Sequence, residues 1–72
     1  MNNKQQINPQ PLNFERLLDT GQAARAIGVE PQTLEIWRCT GRVKIPYIKV
    51  GRLVRYKPSA LRDYLEQQTV AT

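Results

Sequence analysis

A short run of punctuation, from Asp19 to Gly41, leaves this chain little choice of local structure. Asp19 followed three residues later by Gln22 has the spacing of a reciprocal helix cap. Ala23, Ala24 and Ile27 then recur on one helical face, and Gly28 sits where a left-handed residue ends a helix. Pro31 suits the first position of a second helix, and Gly41 supplies its stop. The spacing predicts a helix over about residues 20–27 and another over 31–40, with a tight turn at Gly28, Val29 and Glu30. Glu30 is a weaker N-cap than Ser, Thr or Asp, although its charge suits the positive end of the second helix.

Two short helices joined by about three residues form the helix-turn-helix pattern. After Pro46 the pattern changes to a strand-like one. Tyr47, Ile48, Lys49 and Val50 lead into Gly51-Arg52, and Leu53, Val54, Arg55 and Tyr56 follow. Alternation favours a three-residue loop, Gly51-Arg52-Leu53, which pairs Val50 with Val54 and Ile48 with Tyr56. That register gives the hairpin one apolar face and one basic face, with Lys49 opposite Arg55. Pro58 opens a last helix to about Gln68, with Leu61, Tyr64 and Leu65 as its apolar stripe. Asp63 and Glu66 fall on the polar face of that helix and read as solvated charges rather than an acid/base pair. The expected fold is a small α+β winged helix-turn-helix: two short helices, a β-hairpin wing and a C-terminal helix.

At 72 residues the chain is one small domain with a thin core. Residues 1–14 are rich in Asn and Gln, carry Pro9 and Pro11, and hold too little apolar surface to offset ordering entropy. They are expected to be a disordered arm, with the winged helix-turn-helix domain over 15–68 and a flexible tail over 69–72. The opening lacks the apolar stretch of a signal peptide, and no run of about 18 apolar residues occurs. The expectation is a soluble, cytoplasmic protein with no membrane partner.

Composition excludes much chemistry. Histidine is absent, and Cys39 is the single cysteine. No Ser-His-Asp or Cys-His arrangement and no Cys/His zinc site can be assembled, and no internal disulfide can close. No catalytic residue, metal, cofactor or small-molecule substrate is expected.

The charge is unevenly spread. The chain carries a net charge of +5, yet Arg38, Arg42, Lys44, Lys49, Arg52, Arg55 and Lys57 fall in one segment without an acid. A basic block on a near-neutral scaffold is the electrostatic footprint of a polyanion-binding surface, most often for nucleic acid. At 100° per residue the second helix turns Leu34 and Trp37 to the core, and Gln32, Glu35, Ile36 and Cys39 outward, with Thr33 and Arg38 on the flanks. Gln can bond adenine bidentately, Glu can accept from cytosine, and Ile can meet a thymine methyl. Gln32, Thr33, Glu35, Ile36 and Arg38 are therefore the candidate major-groove residues. Arg42, Lys44, Lys49, Arg52 and Arg55 are the candidate wing and backbone contacts, with Arg52 at the hairpin tip.

The run from Leu17 to Val29, then Thr33-Leu34 and Trp37, then Pro46 to Arg52 and the helix from Pro58, resembles the MerR-like winged-helix domain of phage and mobile-element excisionases. It is similar to lambda-type excisionases and AlpA-type regulators over about residues 17–68. The resemblance implies a small double-stranded-DNA-binding protein with its second helix in the major groove and its wing in the adjacent minor groove. It further implies cooperative binding of copies on DNA, bending of attachment-site DNA, and direction of an integrase toward excision without catalysis of strand exchange. A role as transcriptional regulator fits the same residues. Glu30 stands where relatives carry a small polar cap, and Glu35-Ile36 where they are often basic or aromatic.

The alternative from another class is a small protein-interaction module, such as an antirepressor whose basic surface meets an acidic partner. Salt dependence discriminates, because neutralising Z phosphates gives a log–log slope of about −0.9Z. The arm leads to a first prediction. Removal of residues 1–14 is expected to leave the thermal midpoint essentially unchanged, and a large drop in a melting experiment would show that the arm packs on the domain.

Overall fold

The computed structural model describes residues 16–71, and the arm expected over 1–14 lies outside the described residues. The first helix, α1 (Thr20–Ile27), starts as its sequence dictates. The Asp19 carboxylate accepts from the Gln22 amide at 2.8 Å, and the Gln22 side chain accepts from the Asp19 amide at 3.0 Å. Two otherwise orphaned N–H groups are thereby satisfied. At the other end Gly28 takes φ 82°, and its N–H donates to the carbonyls of Ala24 and Arg25. A side chain there would strain the left-handed backbone, so glycine turns the chain sharply enough to start the next helix three residues on.

The second helix, α2 (Pro31–Thr40), has Pro31 in its first turn and no side-chain cap from Glu30. It ends at Gly41, whose amide donates to the Trp37 carbonyl at 2.8 Å. The last helix, α3 (Pro58–Gln67), again opens on a proline and lacks a side-chain cap. All three helices match the spans expected from sequence to within a residue.

The core is small. Ala23 and Ala24 are wholly buried, and their short side chains bring α1 close to both α2 and α3. Leu34 from α2, Leu61 from α3, Ile45 from the connection and Tyr56 beyond the hairpin complete it. Trp37 and Tyr64 are half-buried against this cluster, their rings 6.2 Å apart and tilted. Leu65, placed by periodicity on the same stripe, is instead 43% exposed at its edge.

The hairpin consists of β1 (Ile48–Val50) and β2 (Leu53–Arg55), and it corrects the expected register. Ile48 pairs with Arg55, Lys49 with Val54, and Val50 with Leu53, so the loop has two residues, Gly51-Arg52, rather than three. Gly51 adopts φ 62°, the positive value that a two-residue hairpin turn requires. Tyr56 does not face Ile48. Its amide and carbonyl pair with those of Leu18 at 2.8 and 2.9 Å, forming a bridge on the other side of β2. Burial sets register only where a strand face is covered, and here only the hairpin base reaches the core. Toward the tip the turn geometry decides. Val54 therefore shares its face with Lys49, while Ile48, Val50, Leu53 and Arg55 share the opposite one.

The wing is thus a two-stranded antiparallel hairpin attached to a three-helix body, the architecture of a winged helix-turn-helix. Gly51→Ala is expected to cost about 1–2 kcal/mol, the cost of a left-handed residue with a Cβ. Urea denaturation measures it, and a cross-strand Val50–Leu53 nuclear Overhauser contact reports the two-residue turn directly.

Candidate nucleic-acid interface

The outward face of α2 carries Gln32, Glu35, Ile36 and Cys39, all exposed, with Thr33 half-buried at its flank. Ile36 is 47% exposed although apolar, so this face is not purely polar. Cys39 is a free thiol. Near the end of the helix the Thr40 hydroxyl donates to the Ile36 carbonyl at 2.7 Å and accepts from the Arg42 amide at 3.2 Å. This contact orders the backbone of Arg42 just past the helix, leaving its side chain exposed.

Arg38 takes a different direction from its neighbours. Its guanidinium donates to the Tyr56 hydroxyl at 3.2 Å and reaches the Thr20 hydroxyl at 3.5 Å. It also lies 5.8 Å from the centroid of the Tyr47 ring, which is itself tilted against Tyr56. The hydrogen bond to Tyr56 is the main cause that holds the Arg38 pKa above the ordinary arginine value, partly opposed by burial. The residue remains charged at any physiological pH. Arg38 thus ties α2 to the start of α1 and the foot of the hairpin.

Between the start of α1 and the hairpin lies an open cleft of about 550 Å³, walled by Arg25, Arg38, Arg52 and Arg55 together with Asp19 and Thr20. Arg55 is half-buried and donates to the Val54 carbonyl at 2.8 Å, whereas Arg52 is exposed at the tip. Asp19, the acid of the cleft, already accepts from the Gln22 amide. Arg25 was not among the residues picked out from sequence. It lies outside the acid-free basic segment, and no local spacing marks it. Its guanidinium comes within 3.6 Å of the place a Cβ on Gly21 would occupy, so it folds back over the first turn of α1.

Lys49 and Lys44 are exposed. Lys44 stands apart from the arginine cleft, beside a second hollow of about 420 Å³ that Trp37, Arg38, Pro46 and Tyr47 also line. The structure thus brings Arg38, Arg52 and Arg55 to one cleft, leaves Gln32, Glu35 and Ile36 on a separate outward face, and places Lys44 beside the other hollow.

Residues 17–69 match the model of a family described as a helix-turn-helix domain. The chain belongs to that family, a class of DNA-binding domains whose members are typically not enzymes. No curated protein and no solved structure matches the chain. No helix among the described residues is long and apolar enough to cross a membrane.

If Arg38 positions the wing through Tyr56, the two side chains are energetically coupled. A double-mutant cycle of Arg38→Ala and Tyr56→Phe, read by urea denaturation, is expected to give a coupling of about 1 kcal/mol. Additive losses would show that the contact contributes nothing to holding the hairpin.

Proposed function

We propose that this protein binds double-stranded DNA with α2 in the major groove and the hairpin in the adjacent minor groove. The observation that carries this reading is the arginine cleft between the start of α1 and the hairpin, to which α2 contributes Arg38. Neighbouring grooves are separated by one phosphodiester strand, so a protein that occupies both must hold that strand between its two reading elements. Arg25, Arg38, Arg52 and Arg55 supply charge for such a strand in the cleft beside the wing. Gln32, Thr33, Glu35 and Ile36 then face base edges, with Arg38 directed to the backbone and the wing angle. Arg42, Lys44 and Lys49 add phosphate contacts at the periphery.

The protein acts, on this reading, as an excisionase of a phage or mobile element, as a transcriptional regulator, or as both, in the cytoplasm. Several copies bind cooperatively, and an integrase is the partner whose direction they set. The absence of histidine from these residues and the resemblance of residues 17–68 to excisionases support an architectural rather than a catalytic part. Footprinting on the DNA around its own gene identifies the site, and protection confined to an attachment site or to a promoter separates the two roles.

The two reading elements should fail differently. Arg52→Ala is expected to weaken binding to cognate and scrambled duplexes together and to lower the salt slope by about one. Gln32→Ala is expected to cost roughly 1–3 kcal/mol on the cognate site and little on scrambled DNA. Titrations by fluorescence anisotropy at several salt concentrations measure both. An equal loss on both duplexes for Gln32→Ala would remove it from base reading, and an unchanged slope for Arg52→Ala would remove the wing tip from the interface.

A further inference from the structure

Val50 and Leu53 are the closing pair of the two-residue turn, so their side chains emerge side by side on one face at the wing tip. They are 53% and 52% exposed. Val54, on the opposite face, packs against the core cluster, while Leu53 and Arg55 of this face border the arginine cleft. Exposure declines along the same face to half-buried Ile48 and Arg55. The apolar surface is therefore concentrated at the extremity. Between the pair lies Gly51-Arg52, and Lys49 and Arg55 follow on either strand.

Two side chains are far too little for a stable protein interface, which covers roughly 800 Å² on each partner. They are the right size to enter a single step of stacked bases. The surrounding charge selects the same occupant, since a basic rim draws the tip to phosphates and repels other basic surfaces. An apolar side chain pressed into the minor groove beside an arginine gains most by leaving water between two bases.

We propose that Val50 and Leu53 form an apolar wedge that enters the minor groove beside Arg52 and opens one base step, kinking the duplex there. This rests on the DNA-binding reading above and adds a mode of recognition to it. Pyrimidine–purine steps unstack most readily, so the wedge selects TA or CA steps at a position the hairpin does not hydrogen-bond. The device is independent of the α2 contacts and makes the DNA sequence under the wing part of the specificity.

The test uses the full chain and a short duplex with one central TA step, its adenine replaced by 2-aminopurine and its ends carrying a donor–acceptor dye pair. A second duplex has a GC step in its place and the probe base adjacent. The variant is Val50→Thr with Leu53→Thr, which places strand-forming, β-branched side chains at both positions while making the tip polar. Leu53→Met keeps the tip apolar and serves as the control for hairpin integrity.

With the wild type and Leu53→Met, binding to the TA duplex is expected to raise 2-aminopurine fluorescence and shorten the end-to-end distance, more than on the GC duplex. The double threonine variant is expected to bind both duplexes while losing the fluorescence gain and the shortening. A wild-type complex without the gain, or a threonine variant that retains it, overturns the wedge and leaves the DNA-binding reading standing. Loss in the threonine variant of only the second copy's binding to a longer duplex, with the gain intact, also overturns the wedge and makes the tip a protein contact. Failure of the wild type to bind either duplex overturns both readings.

Discussion

Tyr56 is the residue on which the arrangement of this protein turns. Its backbone pairs with Leu18 ahead of α1, its ring is buried in the core, and its hydroxyl accepts from Arg38 on α2. One side chain thus joins the start of the domain, the helix with the outward polar face and the foot of the hairpin. A hairpin of two three-residue strands has no independent stability in water. It holds its position because Tyr56 and Val54 anchor its base while Tyr47 packs beside Tyr56. The distance and angle between α2 and the wing, which decide whether both can meet one duplex, follow from that anchor.

The same arrangement explains how so small a core tolerates so much positive charge. The bases of the acid-free segment are distributed over the end of α2, the connection and both strands, and none is buried. Arg38 turns inward and finds two hydroxyls and an aromatic face there. The other guanidiniums around the cleft keep access to solvent, where mutual repulsion is screened. A polyanion entering the cleft replaces that solvent and relieves the repulsion. The gathering of like charge is tolerable in the free protein and productive only with a partner of opposite sign.

Much of the fold was legible in the residues themselves because it is set locally. The capping pair Asp19 and Gln22, the glycine stops at Gly28 and Gly41, and the prolines at the starts of α2 and α3 act within one helical turn of where they sit. Helical periodicity likewise separated buried Leu34 from exposed Gln32, Glu35 and Ile36, since a helix has one direction to its neighbours once its core side is known. The basic character of the stretch from Arg38 to Lys57 was plain from its lack of any acid.

What remained hidden depends on contacts distant in the chain. Alternation alone put Ile48, Val50, Val54 and Tyr56 on one face, because it assumes that a hairpin buries a whole side. In the folded protein only its base is covered, the turn at Gly51 sets a register one residue shorter, and Val50 and Leu53 are left in the open. Nothing near Tyr56 in sequence announces that it pairs with Leu18, and nothing near Arg38 announces that it crosses to Tyr56 rather than following its helix face outward. Arg25 lies outside the basic segment and joins the cleft only when α1 is laid beside the hairpin. The amino-acid sequence by itself determined where helices start and stop and which faces are apolar, since those are effects of a few neighbouring residues. Register, the inward turn of Arg38 and the membership of the arginine cleft were decided by tertiary structure, because each depends on which surface another element has already covered.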